Sequence, residues 1–185
     1  MTSSGLTLVL GPSRSGKSRW AEHLAQAASP RLAIHYLATG ADDPDDTAWQ
    51  ARLARHRARR PSGWTHHEVG PALAPCLASL TAGQLGLVDS LGSWVAQLLE
   101  QDSDRWMTSC RELLDAMRQC PAALIVVSEQ VGWGVVPPTR IGGLFRDRLG
   151  ELEQQLMPWS QAAWLVVAGR ALDLKAASVA VPEAP

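Results

Sequence analysis

Short apolar runs alternate with stretches of helical periodicity along most of this chain. The runs predict buried strands at residues 6–10, 32–38, 85–89, 122–127 and 163–167, with a further short strand around 65–69. Continuous apolar strands separated by helices are typical of a parallel sheet that is covered on both faces. The pattern therefore predicts an α/β fold with a mostly parallel sheet flanked by helices.

Amphipathic stretches between the runs predict the helices, at residues 17–28, 45–60, 71–80, 92–119 and 139–157. The helix at 45–60 begins with acidic residues and ends with arginines, as the helix macrodipole favours. The long stretch at 92–119 contains a candidate break near residues 102–104. A Gly- and Pro-rich loop is expected at 130–138, and the tail from about residue 176 is expected to fray.

The composition restricts the class of protein. With 185 residues, of which 46% are hydrophobic, the chain can bury one good core, so a single domain over residues 1–185 is predicted. A net charge of −1 gives no general attraction to nucleic acid or anionic membranes. No apolar run approaches the length of a membrane span, and no secretory signal is visible. Three cysteines without a C-x-x-C pair predict free thiols, and we expect a cytoplasmic protein.

The first predicted strand leads into a phosphate-binding loop of the G-x-x-x-x-G-K-[ST] type. Its residues are Gly11, Pro12, Ser13, Arg14, Ser15, Gly16, Lys17 and Ser18, and a predicted helix opens at its end. In this order of strand, loop and helix, backbone N–H groups and the helix N-terminus converge on phosphate oxygens. The lysine then reaches the β- and γ-phosphates, and the serine hydroxyl ligates Mg²⁺. The chain is therefore predicted to bind a nucleoside triphosphate.

An acidic side chain is expected near the Mg²⁺, at the end of a neighbouring strand. Asp89 ends the apolar run at 85–89 and is the best-placed carboxylate. The same residue is suited to cap the helix that follows, and the two roles are compatible. We therefore assign Ser18 and Asp89 as candidate metal ligands.

A dense group of arginines surrounds one histidine in the second predicted helix. The arginines around His56 are Arg52, Arg55, Arg57, Arg59 and Arg60. Such a group usually forms a solvated helix face, but beside a triphosphate its guanidinium groups are also suited to clamp phosphate oxygens. The positive charge would keep the His56 imidazole neutral and nucleophilic. Because His56 shares a helix face with Trp49 and Leu53, a packing role stays open.

Further segments give the chain a resemblance to a known family. They are residues 15–22, 36–40, Arg52 with His56-Arg57 and Arg60-Pro61 and Trp64, 88–91 with Trp94-Val95, 131–137 with Arg140, 145–147 with Gly150, and 164–169. In their order and spacing, the chain resembles the bifunctional adenosylcobinamide kinase / adenosylcobinamide-phosphate guanylyltransferase family of cobalamin biosynthesis. The resemblance covers nearly the whole chain. It implies a P-loop fold similar to recombinase-type ATPases and a trimer with active sites near subunit contacts.

The resemblance implies two reactions on a corrinoid. The first phosphorylates the aminopropanol hydroxyl of adenosylcobinamide with ATP or GTP, and the second transfers GMP from GTP to that phosphate, releasing pyrophosphate. In the family the GMP passes through a covalent histidine whose position matches His56, which makes His56 and Lys17 the candidate catalytic residues. Nucleotide contacts beyond the phosphate loop are implied at Thr39, Gly40, Ala41, Arg57, Arg60, Glu68 and Asp89.

The chain departs from the family pattern at several positions. The Asn-Glu-Val-Gly of the family is Glu129-Gln130-Val131-Gly132 here, so the acid moves one position earlier. A family Asn-Gln pair is Glu153-Gln154, an adjacent first histidine of some members is Arg55, and Gly142-Gly143 replace larger residues. If the missing acid serves the kinase step, that step is expected to be weakened unless Glu129 compensates.

Two other classes of protein stay open at this point. A different P-loop small-molecule kinase would use His56 only structurally, and a non-catalytic protein would hold GTP without turnover. His66 and His67 have no further ligand at a metal-binding spacing, so strand-end histidines are expected there rather than a metal site. Trp133, between two glycines, is expected either to stack on a base or corrin edge or to cover the core beneath its loop.

Overall fold

The computed structural model describes residues 5–40 and 61–182. The strands of these residues are β1 (Leu6–Gly11), β2 (Ala33–Ala38), β3 (Thr65–Glu68), β4 (Gln84–Asp89), β5 (Ala123–Glu129), β6 (Ala162–Val167) and β7 (Arg170–Asp173). Their helices are α1 (Lys17–Ala28), α2 (Leu73–Ala78), α3 (Leu91–Gln97), α4 (Ser103–Gln119), α5 (Arg140–Leu156) and α6 (Leu174–Ala177), with a 3₁₀ turn at Met157–Trp159. None of the helices described is both long and apolar enough to cross a bilayer.

The strands form one sheet in the order β3-β2-β4-β5-β1-β6-β7. Neighbouring strands are parallel except β6 and β7, which run antiparallel. The strand that enters the phosphate loop, β1, lies between β5 and β6 and places Gly11 beside Glu129. Because the carboxyl ends of parallel strands share one edge, the segments after β1, β4 and β5 meet there. The predicted α/β fold with a mostly parallel sheet is confirmed.

Apolar layers cover both faces of the sheet. On one face α1 packs through Ala21 and Ala25 against strand residues such as Val9 and Tyr36. On the other face α2 to α5 supply a larger layer, in which the leucines of α5 contact the opposite side chains of β1 and β5. Residues of β1 alternate between the two layers, as expected for a strand buried on both sides.

The C-terminal end of the described chain holds more regular structure than the sequence predicted. The last strand was expected at 163–167, but β7 follows it as an edge strand after a two-residue turn, Ala168-Gly169, in which both residues have positive φ. Asp173 then caps α6 by accepting from the backbone N–H groups of Lys175 and Ala176. This helix passes position 176, where fraying was expected to begin, and residues 178–182 carry no helix or strand.

A buried arginine fixes the break in the stretch predicted at 92–119. Its two helices are α3 and α4, and Arg148 of α5 inserts between them. Arg148 donates to the backbone carbonyls of Leu98 (2.9 Å), Leu99 (3.4 Å) and Gln101 (2.8 Å). Its guanidinium carbon also lies 4.6 Å from the centre of a Trp106 ring. The carbonyls left over where α3 ends are thus satisfied by a cation rather than by water.

We predict that Arg148→Met lowers the free energy of unfolding by about 2–4 kcal/mol, because buried carbonyls lose their donors. Urea unfolding of the purified protein measures the change. Arg111→Met removes an arginine from the exposed side of α4 and serves as the control, with an expected change within about 0.5 kcal/mol. Equal stability of the two variants would contradict this account of the break.

Candidate functional site

The phosphate loop turns from the end of β1 into the N-terminus of α1. Gly16 is the N-cap of α1 and has a left-handed backbone (φ 101°) that would strain any other residue. Ser15 and Lys17 are only 5% and 6% exposed, and the Lys17 N–H donates to the Ser15 hydroxyl at 3.3 Å. Because Gly16 offers no side-chain cap, the first turn of α1 presents its N–H groups to an anion in the loop.

Asp89 ends β4 at the same edge of the sheet and faces this loop. Ser18 Oγ donates to Asp89 Oδ1 at 3.4 Å, so the two predicted metal ligands lie together. Tyr36 of β2 donates its hydroxyl to Asp89 Oδ2 at 2.5 Å. Sequence reasoning placed Tyr36 in a family motif but gave it no role; the available signal was a phenol hydroxyl on an otherwise apolar strand. These oxygens suit Mg²⁺, which is commonly held by one or two protein groups together with substrate phosphates.

The turn after Asp89 is held by Thr39. Ser90, rather than Asp89, caps α3, since its hydroxyl accepts from the N–H of Ser93. The capping role considered for Asp89 is therefore wrong. Thr39 is fully buried; its hydroxyl donates to the Ser90 carbonyl at 2.6 Å and accepts from the Ser90 N–H at 2.8 Å. Thr39 thus supports the backbone that presents Asp89, across a cis peptide bond between Asp89 and Ser90.

Glu129, the last residue of β5, brings a carboxylate to the Lys17 ammonium group. Its Oε1 lies 3.6 Å from Lys17 Nζ, and its Oε2 accepts from the N–H of Gly92 at 3.0 Å. Burial raises the pKa of the Glu129 carboxyl, and the charge of Lys17 opposes that rise. A Cβ at Gly92 would lie 2.1 Å from Glu129 Oε2, so the contact requires glycine there. The acid that stands one position early in the sequence therefore lies inside the site.

On the other side of the β5 end, a partly buried polar pair joins the residue after β5 to α5. Gln130 Nε2 donates to Glu153 Oε2 at 2.7 Å, and the Gln130 N–H donates to the Gly11 carbonyl at 3.0 Å. Burial raises the pKa of Glu153 to about 7, although the Ser128 hydroxyl and the Gln130 amide are close enough to lower it. Within the described residues, neither the Ser128 hydroxyl nor Glu153 Oε1 makes a hydrogen bond of normal geometry.

The remaining predicted residues divide into two groups. Gly40 follows β2 and Glu68 ends β3, with Glu68 in register with Ala38, so both lie at the same edge of the sheet as Asp89. Pro12, Ser13 and Arg14 form the outer turn of the phosphate loop. Ala41, His56, Arg57 and Arg60 lie outside the described residues, as does the whole predicted helix at 45–60.

The histidines of β3 have partners within the sheet. His67 Nε2 lies 2.9 Å from His35 Nδ1 of β2, and the two rings stack with centroids 5.2 Å apart. Burial lowers the pKa of His35, and the neighbouring His67 lowers it further. In residues 5–40 and 61–182, no group of three or more His, Cys, Asp or Glu side chains is placed to hold a metal ion.

Trp133 does not cover the core. Its side chain is 60% exposed, in a loop where Val135 is 96% exposed and Val136 is also exposed. The interpretation of Trp133 as a lid on the core is therefore wrong. Its loop directly follows Gln130, whose backbone N–H donates to the carbonyl of the first glycine of the phosphate loop, so the loop starts beside the phosphate site.

The chain is similar to known proteins over most of its length. The family described as cobinamide kinase / cobinamide phosphate guanyltransferase matches residues 7–174. The bifunctional adenosylcobalamin biosynthesis protein CobP of Pseudomonas aeruginosa is 39% identical, over 91% of this chain and 96% of its own. CobU of Escherichia coli, with the same description, is 34% identical, over 92% and 99%. Among solved structures, the flagellar accessory protein FlaH of Methanocaldococcus jannaschii aligns with 91% of this chain and 75% of its own, with a TM-score of 0.48 and 11% identity.

The raised pKa of Glu153 predicts a dependence of stability on pH. Because the folded chain holds the Glu153 proton up to about pH 7 while the unfolded chain releases it near pH 4.5, stability falls as pH rises through that window. Glu153→Gln removes this loss. We predict that its melting temperature exceeds that of the wild type by more at pH 8 than at pH 5. Glu151→Gln, an exposed carboxylate on the same helix, is the control; an equal difference at both pH values would contradict the burial of Glu153.

Proposed function

Because the chain belongs to the cobinamide kinase / cobinamide phosphate guanyltransferase family, we propose that one phosphate site serves both of its reactions. The protein is an enzyme of cobalamin biosynthesis: it phosphorylates adenosylcobinamide with ATP or GTP and transfers GMP from GTP to the product. Family membership argues against the two other classes that the sequence left open, a different P-loop small-molecule kinase and a non-catalytic nucleotide-binding protein. The observation that carries the proposal is the convergence of Lys17, Ser18 and Asp89 at the carboxyl edge of the sheet.

In the kinase step, the phosphate loop holds the triphosphate through its backbone N–H groups and the N-terminus of α1. Lys17 neutralises charge on the β- and γ-phosphates. Ser18 and Asp89 would hold Mg²⁺, which neutralises charge on the transferring phosphoryl group. Tyr36 fixes the orientation of Asp89 through its hydroxyl bond. The hydroxyl oxygen of adenosylcobinamide attacks the γ-phosphorus, the bond to the β-phosphate oxygen breaks, and a nucleoside diphosphate leaves.

In the guanylyltransfer step, we assign His56 as the nucleophile. A neutral imidazole nitrogen attacks the α-phosphorus of GTP, a P–N bond forms, and pyrophosphate leaves. The phosphate oxygen of adenosylcobinamide phosphate then attacks the same phosphorus, and the P–N bond breaks to release adenosylcobinamide-GDP. Arg57 and Arg60 stand beside His56 in the sequence and supply positive charge for the pentavalent transition state. The same charge disfavours the imidazolium form and keeps the nucleophile neutral.

We predict that wild-type protein incubated with α-³²P-GTP and Mg²⁺ retains label after denaturation, and that His56→Ala does not. The label should be labile to acid and stable to alkali, as a phosphoramidate is. His23→Ala, an exposed histidine on α1, is the matched control and should be labelled like the wild type. Label that persists in His56→Ala would assign the nucleophile elsewhere.

The corrinoid needs an apolar surface beside the phosphate site, and the loop after β5 offers one. We propose that the exposed Trp133, Val135 and Val136 contact the corrin, whose large flat face is mostly apolar. Exposed apolar side chains of this size on one short loop are unusual unless they meet a ligand or a partner. This position would bring the hydroxyl of adenosylcobinamide toward Lys17 without occupying the nucleotide pocket.

Trp133→Ala is expected to raise the KM for adenosylcobinamide about five- to ten-fold, because one stacking contact is lost. Labelling with α-³²P-GTP should stay within about two-fold of the wild type, since the nucleotide pocket is untouched. Met107→Ala removes an exposed apolar side chain from α4 and is the control. An unchanged KM for the corrinoid in Trp133→Ala would contradict this placement.

The trimer implied by the resemblance and the cytoplasmic location stay predictions. Cys76, Cys110 and Cys120 are free thiols, and the latter two are buried, which supports a reducing compartment. Substrates that are nucleoside triphosphates support the same location.

A further inference from the structure

The pair formed by Gln130 and Glu153 borders the phosphate site, yet neither of the two reactions above uses it. The pair connects α5 to the loop by short steps. Glu153 accepts from the Gln130 side chain, and the Gln130 backbone donates to the carbonyl of Gly11. The preceding residue, Glu129, contacts Lys17. Two contacts, joined by the peptide link between Gln130 and Glu129, therefore connect α5 to the lysine of the phosphate loop, and a third ties Gln130 to Gly11.

Alternation along β5 explains how neighbouring residues reach opposite sides. Val127 packs in the layer of α1, whereas Val126 packs in the layer of α2 to α5. Glu129 follows the first of these directions and meets Lys17. Gln130 follows the second direction and contacts Glu153 of α5. Adjacent residues at the end of β5 therefore contact the phosphate-loop lysine on one side and α5 on the other.

The pair also accounts for a departure from the family pattern. That pattern has the acid at position 130 and an amide at position 153, whereas this chain has the amide at 130 and the acid at 153. The 2.7 Å bond shows that the two positions touch. This chain therefore has the amide at position 130 and the carboxyl group at position 153, the reverse of the family pattern. The amide still donates a hydrogen bond to the carboxyl group.

We propose that Gln130 and Glu153 act as one positioning unit for the kinase step, in which α5 supplies the carboxyl group and position 130 supplies the amide. The unit fixes the chain after β5 against Gly11 and so holds Glu129 beside Lys17. It touches no substrate, so its effect falls on the rate of phosphoryl transfer rather than on nucleotide affinity. The inference rests on the proposed role of Lys17 in that step.

The experiment compares kcat and KM for ATP in adenosylcobinamide phosphorylation at pH 8 among three variants and the wild type. Gln130→Glu places two carboxyls in contact, and we expect kcat to fall about ten-fold or more with the KM for ATP within about two-fold. Glu153→Leu removes the acceptor and should lower kcat similarly. Gln130→Glu/Glu153→Gln restores a carboxyl–amide pair with reversed groups, and kcat should return to within about three-fold of the wild type.

Glu151→Gln, on the exposed side of α5, controls for loss of a carboxylate from that helix. Because two carboxyls in contact also lower the folded fraction, kcat is expressed per mole of ATP-binding sites in each preparation. A loss in Gln130→Glu that persists on this scale and is recovered in the double variant is the decisive result; a loss that disappears on this scale is structural and would overturn the unit. A double variant no faster than Gln130→Glu, or a Gln130→Glu variant as fast as the wild type, would overturn the unit. A wild type that forms no adenosylcobinamide phosphate would instead overturn the proposed function itself, and the unit with it.

Discussion

A lysine ammonium group withdrawn from water must be neutralised, and the site is arranged around that requirement at Lys17. The Glu129 carboxylate meets it at 3.6 Å. An unpaired buried charge costs far more than this pair loses by desolvation, so in this chain the Glu129 carboxylate stabilises the charged form of Lys17. The contact between Lys17 and Glu129 also constrains its surroundings. Gly92 must lack a side chain, and β5 must place Glu129 beside the start of the phosphate loop. A bound triphosphate meets the same need with its own negative charge.

Three carboxyl groups lie near the carboxyl edge of the sheet. Each has different neighbours, and these neighbours give each carboxyl group a different role. Asp89 accepts from two hydroxyls and points toward the loop. Glu129 faces an ammonium group and a backbone N–H. Glu153 belongs to α5 and accepts from the Gln130 amide; its burial raises its pKa to about 7, although that hydrogen bond opposes the rise. A parallel sheet makes such a division possible, because consecutive residues at one strand end point to opposite faces.

The sequence predicted the features that depend on residues close together in the chain. The phosphate loop, the start of α1 at Lys17 and the buried strands depend on neighbours in sequence, and they agree with the structure to within one or two residues. The edge strand β7 was missed because Arg170–Asp173 is short and only half buried, unlike the continuous apolar runs. The break predicted near residues 102–104 is confirmed, since Asp102 caps α4, but the residue that satisfies the end of α3, Arg148, lies some fifty positions away. The contact of Gln130 with Glu153 is likewise a product of tertiary packing, and each residue alone looks like a mere departure from a motif.

The leucine stripe of α5 has a polar residue at each border. At about 100° per residue, Arg148 and Glu153 lie roughly 140° apart around the helix, with Leu149, Leu152 and Leu156 between them. Leucines alone would tolerate a small roll of the helix, since one aliphatic side chain fills a gap nearly as well as the next. A guanidinium held by three carbonyls and a carboxyl held by an amide do not tolerate it. These two contacts therefore fix the rotation of α5 about its own axis. Substitutions among its buried leucines can change the packed volume, but they do not change which face of the helix meets the sheet.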